Sequence, residues 1–81
     1  MKETIKQFII DELEKKQNLP SNIDIESYRY LDEGHIDSLG SMKFILTIED
    51  KFGIELSQDD IVSELFRTIG GLVSIIDNKL Q

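Results

Sequence analysis

Residues 37–53, DSLGSMKFILTIEDKFG, can be satisfied by one regular structure only. From Leu39 the apolar residues recur at helical spacing, with Leu39, Met42 and Leu46 along one side and Phe44, Ile45, Ile48 and Phe52 along another. Asp37 carries the short acceptor side chain that suits an N-cap, and Gly53 supplies a C-terminal stop, so a helix is expected from Ser38 to Phe52. One apolar stripe is enough to bury such a helix. The second begins beside Ser38 and is left over for another use. Ser38 itself falls in the first turn, where backbone N–H groups lack intrahelical partners and a phosphate is favoured, so an exposed hydroxyl is expected there.

The other elements are arranged around this one. Ile5, Phe8, Ile9 and Leu13 predict a first helix over 4–16, ended by Asn18-Leu19-Pro20-Ser21. Residues 19–36 show no sustained period but contain Leu19, Ile23, Ile25, Tyr28, Tyr30, Leu31 and Ile36. So apolar a loop is expected to lie across the helices, partly buried, with a short helical turn. Gly34 permits a sharp turn into the Asp37 cap. Ser57-Gln58-Asp59-Asp60 has capping-box spacing and opens a short third helix bearing Ile61, Val62, Leu65 and Phe66. Thr68 caps a fourth helix, from about 69 to 80, with Leu72, Val73, Ile76 and Leu80 as its stripe. Gly70-Gly71 weakens that helix's first turn by roughly 1 kcal/mol per glycine, and close helix packing is one reason to keep the pair. The prediction is an all-α, small four-helix bundle, three longer helices plus one short, with a long first loop. It forms one domain over residues 1–81.

Composition narrows what such a bundle can do. Without cysteine there is no disulfide and no thiolate metal site, so the core comes from helix packing alone. No apolar run approaches the ~20 residues needed to span a bilayer, and residues after Met1 do not read as a secretion segment, so a cytoplasmic location is expected. Nine basic against sixteen acidic residues give a net charge of −7, which opposes nucleic acid and anionic lipid and favours partners with basic surfaces. The charges are uneven. Residues 1–17 hold four Lys and four Asp/Glu, whereas residues 47–66 hold six acids against Lys51 alone.

The sole histidine, His35, stands near Asp37 and Ser38, but a Ser–His–Asp triad is a directed hydrogen-bond chain in space, and three residues of one turn rarely point at one another. His35 is expected to be exposed loop. One histidine, no cysteine and acids without EF-hand spacing also give no metal site and no catalytic residue.

Asp37-Ser38-Leu39, Met42, Glu49-Asp50, Phe52-Gly53-Ile54 and the Ser57-to-Asp60 helix start together resemble the acyl carrier and peptidyl carrier proteins. The likeness is strongest over residues 31–66 and extends over a chain whose length suits a free-standing, monomeric carrier. It implies that Ser38 receives 4'-phosphopantetheine from coenzyme A, with Asp37 supporting both the helix start and the metal ion of a separate phosphopantetheinyl transferase. It implies partner docking at Leu39, Met42, Leu46, Glu49, Asp50 and Ile61. The further partners are an acyl- or aminoacyl-loading ligase or synthase and downstream acyl-transfer enzymes. Gly40 and Lys43 depart from the pattern, since acids are frequent at both positions in the family. Glu33-Gly34-His35-Ile36-Asp37-Ser38 sets the glycine three residues before the aspartate, a spacing similar to specialised carriers, D-alanyl carrier proteins among them. A rival reading is a non-covalent acidic helical interaction module with Ser38 unmodified. A small serine hydrolase using Ser38 is a distant third.

Overall fold

A computed structural model describes residues 1–81, the side chain of Ser38 excepted. Helix α1 spans Lys2–Glu14, α2 Ser38–Phe52, α3 Gln58–Val62 and α4 Ile69–Leu80, with 3-10 turns at Ile25–Ser27 and Glu64–Arg67. The expected all-α bundle is what forms, and no strand occurs among the described residues.

Helix α1 sits about two residues earlier than its apolar spacing predicts. The Met1 carbonyl accepts the Ile5 N–H at 3.1 Å and so starts the helix at Lys2. At the other end the Leu13 carbonyl takes the N–H groups of Lys16 and Gln17, at 3.0 and 3.2 Å, which tightens the chain out of the helix after Glu14. Both bounds of α2 match expectation. Asp37 is extended and its carboxylate accepts the Gly40 N–H at 2.7 Å, while Gly53 stands at φ 65°, the left-handed conformation that glycine adopts without strain.

The third helix is shorter than its apolar residues suggest. Ser57 and Asp60 form a reciprocal capping box, but Ser63 is extended (φ −73°, ψ 156°) and separates α3 from the 3-10 turn at Glu64–Arg67. Thr68 then caps α4 by accepting the Gly71 N–H at 3.0 Å.

The core is built from Ile5, Ile9 and Leu13 of α1, Phe44 and Ile48 of α2, Phe66, and Ile69, Leu72 and Ile76 of α4. Tyr30 and Ile36 of the long loop are buried with them. Tyr30 packs edge-on to Phe44 and Phe66, and its hydroxyl donates to the Phe66 carbonyl. The loop is also tied to the start of α4, where the Ile69 N–H donates to the Tyr28 carbonyl at 3.2 Å. The Gly70-Gly71 pair lies at this junction. A Cβ on Gly71 would stand 2.1 Å from the Leu65 carbonyl oxygen, and one on Gly70 would stand 2.9 Å from that of Glu26. Backbone therefore presses on backbone at both positions, and only glycine leaves room.

Candidate functional site

The site is the N-terminal half of α2 and the turn leading into it. Asp37 is exposed and fixes the helix start through its bond to the Gly40 N–H. Ser38 is the first helical residue, and its side chain, the subject of the central sequence expectation, lies outside the described residues. Of the two apolar stripes on α2, Phe44 and Ile48 are buried and Ile45 and Phe52 half-buried. The other stripe is open to solvent: Leu39 is 81% exposed, Met42 65% and Leu46 63%. Three large apolar side chains on successive turns are too regular an exposure to be scattered surface, and a methionine among them adapts to more than one partner.

The remaining expected docking residues are placed less uniformly. Asp50 is exposed at the far end of the open stripe. Glu49 is half-buried, and its Oε2 accepts the Leu56 N–H at 2.8 Å, so this carboxylate braces the link between α2 and α3. Ile61 packs partly against the core. The apolar side chains that this region leaves to solvent are Val62 and Leu65, which sequence reasoning assigned no docking role. The interruption at Ser63 decides this, and nothing in the local spacing announces it.

His35 corrects the sequence reading outright. Expected as exposed loop, it is 5% exposed. Its Nε2 lies 2.9 Å from the Leu13 carbonyl and its Nδ1 3.1 Å from the Tyr28 hydroxyl. A carbonyl only accepts, so in the neutral ring Nε2 carries the proton and Nδ1 accepts from Tyr28. Tyr28 also packs edge-on against the ring, centroids 5.7 Å apart. The imidazole thus bolts the turn before Ser38 onto the end of α1. Both of its nitrogens are occupied structurally. No group of three or more metal-ligating side chains is found among the described residues.

The electrostatics around the site are mixed. Downstream, Asp60 is held below the ordinary aspartate range by its hydrogen bond to Lys79 and then by the Ser57 backbone. On the loop, Asp32 is held low by Arg67 and Arg29, a network that fastens the loop to the 3-10 turn. No described helix is long and apolar enough to cross a membrane.

Comparison with known proteins gives a consistent result. A family model described as the phosphopantetheine attachment site matches residues 3–76. An acyl carrier protein of Chlamydia trachomatis serovar D is 29% identical over 79 residues, covering 98% of this chain and 95% of its own. One from serovar L2 is 30% identical over 76 residues, covering 94% and 91%. One from Chlamydia muridarum is 29% identical over 79 residues, covering 98% and 95%.

Proposed function

Because this chain belongs to the phosphopantetheine attachment family, we propose that Ser38 is its attachment residue and that residues 1–81 act as a single acyl carrier domain. Members of this family carry 4'-phosphopantetheine covalently and are carriers rather than enzymes. The observation that carries the proposal is the junction of the Asp37 cap with the open stripe. A helix start whose flanking residues Asp37 and Leu39 are both exposed is followed by two further exposed apolar side chains.

The residues present fit the group. Attachment needs a hydroxyl that a second protein can reach, at a helix start that tolerates a phosphodiester. Gly34, which begins the turn, has open space where a side chain would be. In the transferase complex the Ser38 Oγ attacks the β-phosphorus of coenzyme A. A new P–O bond forms as the bond to the adenosine-side phosphate oxygen breaks. Adenosine 3',5'-bisphosphate leaves, and the serine proton passes to a base of the transferase or to water. Asp37 holds the helix start rigid through the Gly40 N–H and offers a carboxylate to the transferase's metal ion. Leu39, Met42 and Leu46 dock the partner, with Asp50 and the exposed part of Glu49 meeting its basic groups; Ile61 backs this face from the core side. When bound, the group supplies a terminal thiol that holds an acyl chain as a thioester.

The spacing Gly34-His35-Ile36-Asp37 favours a dedicated pathway, in which a specific ligase or synthase loads an acyl or aminoacyl group onto a monomeric, cytoplasmic carrier. The deciding experiment is intact mass after incubation with coenzyme A, Mg2+ and a broad-specificity phosphopantetheinyl transferase. The parent is expected to gain one phosphopantetheine and Ser38→Ala none. A folded parent that gains nothing, with the transferase active on a second carrier, would pass the lead to the non-covalent interaction module.

A further inference from the structure

A cleft of about 400 Å³ lies between α2 and the end of α1, on a flank of α2 turned away from the Leu39–Met42–Leu46 stripe. Ile36 and Phe44 give it apolar walls. Its rim carries three ammonium groups, Lys15 and Lys16 from the end of α1 and Lys43 from α2. The acid on this lining, Glu12, is already paired with Lys15 at 2.7 Å. Neither Lys16 nor Lys43 forms an ion pair among the described residues.

A smaller hollow of about 170 Å³ shares Lys16, Ile36 and Gly40 with the cleft and continues to Gly34 and Asp37. The combined groove therefore opens one residue before Ser38. It ends at Thr47, nine residues further along α2, or about 14 Å at the helical rise. Gly40 keeps the passage clear. A Cβ there would stand 2.9 Å from Asp37 Oδ1, 3.0 Å from Ile36 Cγ2 and 3.9 Å from Lys16 Nζ. Gly40 and Lys43 both face the groove. The helix dipole accounts for lysines at the end of α1, but it gives no reason for a lysine in the body of α2. In a chain of net charge −7, a cationic rim over apolar walls is an exception.

We propose that this groove receives the distal part of the carried acyl group, and that the group ends in a carboxylate. The inference rests on Ser38 being the attachment residue. The arm doubles back over the start of α2 past Asp37 and Gly34; Ile36 and Phe44 take methylenes, and Lys16 and Lys43 take the carboxylate. The same cations repel an ammonium, so an aminoacyl group stays outside.

The test compares amide shifts of 15N-labelled carrier loaded at Ser38 from succinyl-, butyryl- or alanyl-coenzyme A, each checked by intact mass. Succinyl and butyryl have equal chain lengths and differ in the terminal charge. Succinyl is expected to shift the Gly40, Lys43 and Thr47 amides beyond butyryl, and the alanyl group is expected to leave them unmoved. The succinyl effect is expected to vanish in K16Q/K43Q, whose exposed positions leave the fold intact by circular dichroism. Equal shifts from succinyl and butyryl, shifts that survive in the double variant, or larger shifts from alanyl would each overturn the groove assignment while leaving the carrier intact. No mass gain at Ser38 would overturn the attachment reading and this inference together.

Discussion

At the residue scale the two glycines that open α4 reverse an ordinary rule. Alanine is favoured over glycine inside a helix by about 1 kcal/mol. At Gly71, however, the added methyl would stand 2.1 Å from a backbone oxygen and 2.7 Å from the Cα and carbonyl carbon of Leu65, none of which can rotate away. Gly71→Ala is therefore expected to destabilise the fold by about 3 kcal/mol, at the upper end of overpacking costs, with Gly70→Ala less severe; urea unfolding of both variants checks this. The sequence marks the pair as unusual but hides the cause, because the obstacle is main chain delivered by the 3-10 turn and has no side-chain identity to read. His35 is hidden for a related reason. Its two partners are a carbonyl twenty-two residues upstream and a tyrosine seven residues upstream, and neither pairing leaves a local pattern. Asp37 was legible because its partner, the Gly40 N–H, is only three residues away.

Among the elements, those whose ends are set by their own neighbours were readable and those closed by distant or backbone groups were not. Helices α2 and α4 begin and end where Asp37, Gly53 and Thr68 say they should. Helix α1 slips because a backbone carbonyl starts it and another ends it, and the third helix is cut short by an extended serine. Helix α2 shows best how one element serves two purposes. Its core face and its open face are nearly independent, since Met42 is largely exposed while Phe44 and Ile48 are buried. Met42→Glu is accordingly expected to slow phosphopantetheine transfer about tenfold, as loss of a docking anchor does. Its unfolding free energy from urea titration is expected to change by no more than about 0.5 kcal/mol, as for a surface substitution. A fall in both together would mean that Met42 belongs to the core instead. The exposed stripe on α2 was legible from its spacing. The exposure of Val62 and Leu65 was not, because it depends on how the chain turns at Ser63.

For the whole molecule, the long loop is as much a part of the core as the helices are. The radius of gyration, 11.6 Å, matches the ~11.7 Å expected of a compact 81-residue domain, which leaves no allowance for a loop hanging free. Tyr30 shows the consequence for alkaline stability. Burial, slightly opposed by Arg67, pushes its hydroxyl far above the ordinary tyrosine value of 10.0. In the unfolded chain the phenol ionises near that value, while in the core it stays protonated. The stability of the buried neutral phenol is therefore complete below pH 10 and declines as pH rises beyond it towards the folded value, by about 1.4 kcal/mol per pH unit for one proton. Urea unfolding followed from pH 9 to about pH 11 is expected to show that decline in the parent and to lose it in Tyr30→Phe. The chain has no tryptophan and only two tyrosines, so its tyrosine emission comes from the loop alone. One of those rings touches the core at Phe44 and Phe66, and the other touches the imidazole in the turn before Ser38. Without any label, the protein carries two intrinsic optical reporters, one on folding and one on the approach to Ser38, and single Tyr→Phe exchanges separate their signals.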